Sequence, residues 1–129
     1  MKKIKIIYLL IFSLFVLIGC TDKNKEINVS VSKNPDAQEV LSLNSNADIF
    51  QWNNAIYQTN IEWVNELQLT ENSKIGIIET NSSKAAEFKN GTANKLSKGT
   101  EIFTVKERND VLMVKNDGEI KLYYLLSEG

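Results

Sequence analysis

The sequence predicts a small, mainly β domain with a minor helical part (α+β), an antiparallel meander or partly open barrel of about six strands with one short helix. Residues 101–107 alternate, with Ile102, Thr104 and Lys106 on one face and Phe103 and Val105 on the other. Asn116-Asp117-Gly118 and Asn53-Asn54 interrupt apolar runs with residues that tolerate the positive φ of a tight hairpin. Three alternating runs joined by short turns then close the chain as a meander.

Taken in order, Asp48–Trp52 and Ala55–Thr59 read as two strands around the Asn53-Asn54 turn. Residues 60–70 fit either period. Ile61, Trp63, Leu67 and Leu69 alternate as a strand would, whereas Ile61, Val64 and Leu67 share a helical face with Asn60 as N-cap. A short helix over 60–67 is favoured, because Asn, Glu and Leu suit it better. Lys74–Thr80 reads as a strand and Asn81–Lys84 as a turn. Residues 85–93 show no clear period, with Phe88 as a core plug, and Asn90-Gly91 and Ser97-Lys98-Gly99 read as turns. Glu101–Glu107, Val111–Lys115 and Glu119–Leu126 complete the strands, with Asp117-Gly118 matching a type I′ turn. Tyr123 and Tyr124 must point to opposite faces of the last strand.

The N-terminus carries a different signal. Lys2, Lys3 and Lys5 precede an apolar run from Ile6 to Ile18 broken only by Ser13. Thirteen residues are too short for a membrane-spanning helix, which needs about 20. A basic flank, a short apolar core and a small residue before the cut describe a secretory signal. Leu17-Ile18-Gly19-Cys20 resembles the lipobox of bacterial lipoproteins. That resemblance implies acylation of the Cys20 thiol, cleavage before it, and a protein held on a membrane by its lipid rather than spanning it. The expected organisation is a signal peptide over 1–19, a lipidated Cys20 with a disordered tether over 20–46, and a β-rich domain over 47–129. The tether reading rests on Asn, Ser, Lys and Asp dominance without an aromatic. Within it, Ile27–Val31 alternates like a strand, and Ala37–Leu43 could form a helical turn or two.

Composition narrows the chemistry. Without residues 1–19, the remaining 110 residues carry 12 basic and 16 acidic groups, a formal charge of −4. That balance argues against nucleic acid and against a basic patch for anionic lipid. Cys20 is the only cysteine and histidine is absent. A histidine-based triad and a common zinc site are therefore excluded, and no cofactor or metal is expected. Carboxylate pairs remain open, with Glu62, Glu66 and Glu71 as the candidates for glycoside cleavage or a cation site, although no cation-binding loop surrounds them. Gly91-Thr92 and Gly99-Thr100 lack the spacing of a phosphate loop. Trp52, Tyr57 and Trp63 cluster in sequence and could form an aromatic face for a protein or envelope-polymer partner, against the plainer reading of core packing.

The stretches Ala47–Phe50, Ile61–Val64, Lys74–Gly76, Phe88–Leu96, Gly99–Phe103 and the closing Glu128-Gly129 carry a further resemblance. Residues 47–129 resemble small uncharacterised lipoproteins of Bacillus-like Firmicutes, and also the extracytoplasmic tail of some membrane sensor-transducers. The resemblance implies a cell-surface, membrane-anchored module with no activity attached. The expectation is a non-catalytic binding or sensory module on the extracytoplasmic face. The alternatives are a passive envelope or stress protein, and a carboxylate-based envelope hydrolase.

Overall fold

The structure, a computed structural model, describes residues 34–127. The expected signal peptide, the lipobox residues Leu17, Ile18 and Gly19, Cys20 and residues 21–33 of the expected tether lie outside the described residues. The order is α1 (Ala37–Leu43), β1 (Ile49–Trp52), β2 (Ala55–Gln58), α2 (Glu62–Asn65), β3 (Glu71–Ile77), β4 (Thr80–Asn81), a 3₁₀ turn (Ala85–Glu87), β5 (Thr92–Ala93), β6 (Glu101–Val105), β7 (Val111–Asn116) and β8 (Glu119–Leu125). All eight strands form one sheet in the order β3-β6-β7-β8-β2-β1-β5-β4. Every pairing is antiparallel except β4 with β5.

The two edges of this sheet, β3 and β4, are separated in the chain by Ile78 and Glu79 alone. So short a link reaches at most about 11 Å. The sheet must therefore curl until its first and last strands approach each other, which gives a curled half-barrel. The link is held at both ends: Ile78 N–H donates to Thr100 O at 2.8 Å, and Glu79 N–H donates to Gly91 O at 2.8 Å. Trp52 at the tip of β1 lies over Gly76 of β3, although the two strands stand at opposite ends of a six-strand run. A Cβ on Gly76 would lie 2.2 Å from the Trp52 ring.

The meander agrees with the alternation. Inside the curl pack Phe50, Tyr57, Ile102, Leu112, Val114 and Tyr123, with Ile78 as a fully buried plug. The odd partners in the same strands, Phe103, Val105, Val111 and Met113, point outwards and are covered by Val64 of α2 with Ile61, Leu67 and Leu69. This explains why Val111–Val114 is buried on both faces. Both two-residue hairpins close as expected, with Asn53 and Asn54 at φ 50° and 62°, and Asp117 and Gly118 at φ 50° and 82°.

Four readings change. Among the described residues the strands number eight rather than about six, because β4 and β5 have two residues each, too few to show a period. β3 starts earlier and ends earlier than Lys74–Thr80, since exposed Glu71, Asn72 and Ser73 hide its start and the chain crosses to the other edge after Ile77. The helix in 60–67 is a single turn whose N-cap is Ile61, not Asn60, and Asn60 takes φ 64°. Finally, order begins before residue 47. Ala37–Leu43 is an α-helix, capped by Asp36, whose carboxylate accepts from Glu39 N–H at 2.9 Å. Ala37 and Val40 bury against Ala47, Ile49 and Ile56 on the outer face of the first hairpin. Its helical spacing was diluted by the polar composition around it.

A buried polar contact joins the start of β1 to β8. Tyr123 Oη donates to Asp48 Oδ1 at 2.6 Å, and Lys121 Nζ lies 3.6 Å from Asp48 Oδ2. Burial, then the bond to Asp48, pushes the Tyr123 hydroxyl far above the ordinary phenol range, so it stays a donor.

Tyr123→Phe leaves a buried carboxylate oxygen short of its donor. It is expected to lower unfolding stability by about 1–3 kcal/mol in urea titration. Gly76→Val should displace the Trp52 ring and cost about 1–3 kcal/mol by overpacking. The same variant should red-shift tryptophan emission.

Candidate functional site

The aromatic trio is not brought together. Tyr57 is buried, stacked on Phe50 with ring centroids 5.4 Å apart, and Trp52 packs half-buried against the same interior cluster. Trp63 lies on the outer side, 45 % exposed. Its ring sits edge-on to Tyr124 at 5.1 Å, with the Arg108 guanidinium 5.2 Å from its centroid. Asp110 grips that guanidinium through two 2.7 Å bonds. Strand alternation separates Trp52 and Tyr57 from the outer surface that carries Trp63, the one exposed member of the trio. Tyr123 is buried and Tyr124 faces out beside Trp63, as their alternation requires.

The carboxylates do not converge either. Glu62 and Glu66 are exposed on and after α2, and Glu71 pairs with Lys115. Among the described residues, no group of three His, Cys, Asp or Glu side chains could hold a metal ion. An open depression of about 650 Å³ around the β6–β7 turn includes Glu107 and Asp110. Both are already engaged. Asp110 holds Arg108, and Glu107 accepts from Thr70 N–H at 2.8 and 3.0 Å and from Thr70 Oγ1 at 2.8 Å. The Thr70 N–H, then its hydroxyl, holds the Glu107 carboxyl below its ordinary value of 4.5. Gly91 and Gly99 serve as turn residues at φ 90° and 93°, next to fully buried Thr92 and Thr100.

A second concavity is one that sequence reading did not single out. A groove of about 810 Å³ runs between the 59–70 segment and β8. Leu67, Leu69, Met113 and Leu122 supply its apolar surface, and Ile120, 56 % exposed, stands at its lip. Asn60, Asn65, Gln68 and Thr70 supply polar groups, and Lys121 is its single charged side chain. Glu107 fixes one wall through Thr70, and Thr59 Oγ1 fixes the other by donating to Leu122 O at 2.7 Å. The sequence sign of the site is Ile120, an apolar residue two positions beyond the Asp117-Gly118 turn. An apolar floor with a carboxamide rim can bind a partner by burial and hydrogen bonding.

Trp63→Phe should remove most of the acrylamide-quenchable emission and leave the protected signal of Trp52. Trp52→Phe should do the reverse. Glu107→Ala should speed hydrogen exchange at Thr70 N–H. Because the folded Glu107 carboxyl titrates low, its clamp contributes fully above the ordinary glutamate value. The contribution disappears as pH falls through the lowered folded value. Thr70 protection followed by NMR against pH should therefore persist below 4.5 before it is lost.

Comparison with protein-family models, with curated proteins and with solved structures finds no match for this chain.

Proposed function

We propose that the chain is a membrane-anchored lipoprotein whose domain is a non-catalytic binding module on the extracytoplasmic face. The observation that carries this reading is Leu17-Ile18-Gly19-Cys20 at the end of the apolar run behind Lys2, Lys3 and Lys5. The resemblance to Firmicute surface lipoproteins points the same way. A thiol carrying two acyl chains holds a protein stably on a bilayer, where one chain is marginal. From Cys20 to Asn34 the chain can reach no farther than about 50 Å, so the domain works close to the lipid surface.

For the domain itself, the groove beside β8 favours binding over chemistry. Its lining joins Leu67, Leu69, Met113 and Leu122 to amide side chains. The two carboxylates of the other depression are occupied by Thr70 and Arg108. Trp63, held between Arg108 and Tyr124, adds a rigid aromatic on the same outer side of the sheet.

The test is metabolic labelling of cells producing the full chain with an alkyne fatty acid, followed by membrane fractionation. The wild-type chain should take label and sediment with membranes, and Cys20→Ser should lose both properties. A wild-type chain without label would overturn the anchor.

A further inference from the structure

We propose that the free edge of β8 in this groove accepts an extended polypeptide strand from a partner, apolar at alternate positions and acidic between them. This deepens the binding-module reading and rests on it for its biological setting.

The register shows which backbone groups are free. The two-residue Asp117-Gly118 loop makes Asn116 and Glu119 a hydrogen-bonded pair, and Leu125 N–H donates to Asp110 O at 2.8 Å at the other end of the hairpin. Between those limits hydrogen-bonded pairs alternate, so Lys121 and Tyr123 bond to β7, while Ile120, Leu122 and Tyr124 turn their N–H and C=O groups towards β2. β2 meets β8 only at Tyr57 opposite Leu125 and Gln58 opposite Tyr124. After Thr59 the chain leaves the sheet through Asn60 at φ 64°. Thr59 Oγ1 takes the Leu122 carbonyl. The N–H and C=O of Ile120 and the N–H of Leu122 are left facing the groove, without a partner among the described residues.

Those three groups form one rung and a half of an antiparallel or parallel ladder. A guest strand would occupy the line that β2 abandons. Its outward side chains would lie beside Ile120 and Leu122, with Leu67 and Leu69 across the groove. These positions call for apolar residues. Its inward side chains would meet Lys121, the single charged group lining the groove; Asp48 Oδ2 lies 3.6 Å from one side of its ammonium, and the exposed remainder of that ammonium calls for an acid. Backbone bonds would give affinity and the alternate pockets specificity, as in strand addition generally.

The probe is the capped peptide acetyl-Thr-Val-Glu-Val-Glu-Val-Thr-amide, added to the full chain purified from membranes in detergent. Binding should slow hydrogen exchange at the Ile120 and Leu122 amides, and N-methylation of the peptide's valines should abolish it. Ile120→Pro removes an N–H that β7 does not use, so it should weaken binding at least tenfold with little change in the urea midpoint. Ile120→Lys, at an exposed position, should also weaken binding and stands in if the proline variant misfolds. No binding at millimolar peptide, binding indifferent to N-methylation, or protection confined to other amides would overturn the proposal. So would protection of Ile120 by a second copy of the chain in the absence of peptide. The Cys20→Ser chain should bind the peptide as the wild type does, which separates a failure of the edge from a failure of the anchor.

Discussion

The two-residue link Ile78-Glu79 is the constraint on which the rest of the structure depends. It joins strands that stand at opposite ends of the sheet order. A flat sheet of eight strands spans roughly 33 Å between its outer strands, far beyond what two residues can bridge. Closure by the chain itself therefore fixes the curl before any packing is considered. It also fixes where Ile78 must sit, since the link crosses the open seam with its side chain buried inside. Trp52 closing over Gly76 follows from the same geometry, because only a curled sheet brings β1 to β3.

Short strands near that seam leave little backbone ladder, and amide side chains take its place. Asn94 accepts from Ile49 N–H at 2.9 Å and donates to Ala47 O at 2.7 Å, so one side chain imitates a paired peptide beyond β5. Asn90 accepts from Asn54 N–H at 2.8 Å and donates to Asn54 Oδ1 at 3.2 Å, tying the first hairpin to the loop before β5. Asp48 and Tyr123 make the corresponding tie from β1 to β8. The high Asn content, which in composition alone reads as loop, is thus partly structural mortar. Each of these contacts spans 36 residues or more in sequence, so no local pattern announces them.

That contrast explains what could be read beforehand. Residues 101–126 were legible because each strand there is at least five residues long, has one face inside and one face under α2, and ends in a turn of defined φ. The first hairpin was legible from Asn53-Asn54 for the same reason. β4 and β5 were not, since two residues carry no alternation. α1 was legible only as a helical turn or two within a tether, because Ala37 and Val40 are its only buried residues and a window of polar neighbours outweighs two. The faces of the aromatic trio were not legible: nearness in sequence says nothing about faces, and the strand period sends Trp52 inward while α2 carries Trp63 outside. The groove required knowing that the chain departs at Asn60, which appears in sequence only as an ambiguous position before a half-helical run.

The treatment of the sheet's edges bears on that departure. β3 is an edge strand, and it is blunted. Its register shifts twice, and its exposed Lys74 and Glu71 are paired to Glu101 and Lys115. β4 is kept to two residues. The start of β8 is different. It has no bulge and no proline, and Ile120 stays more than half exposed beside backbone groups without a partner among the described residues. Its lysine, Lys121, is drawn towards Asp48 instead of standing guard over the edge. Had β2 run four residues farther in its register, to the position opposite Ile120, it would have covered this edge; Asn60, one of the few residue types at ease at positive φ, lets the chain leave instead. An edge left open in a protein that blunts its other two is a liability unless something covers it. Leu67, Leu69, Met113 and Leu122 make that stretch a groove rather than a flat strip. On the strand-addition proposal, a concave site would favour one extended strand over the flat edge of another sheet, and the liability would become selectivity.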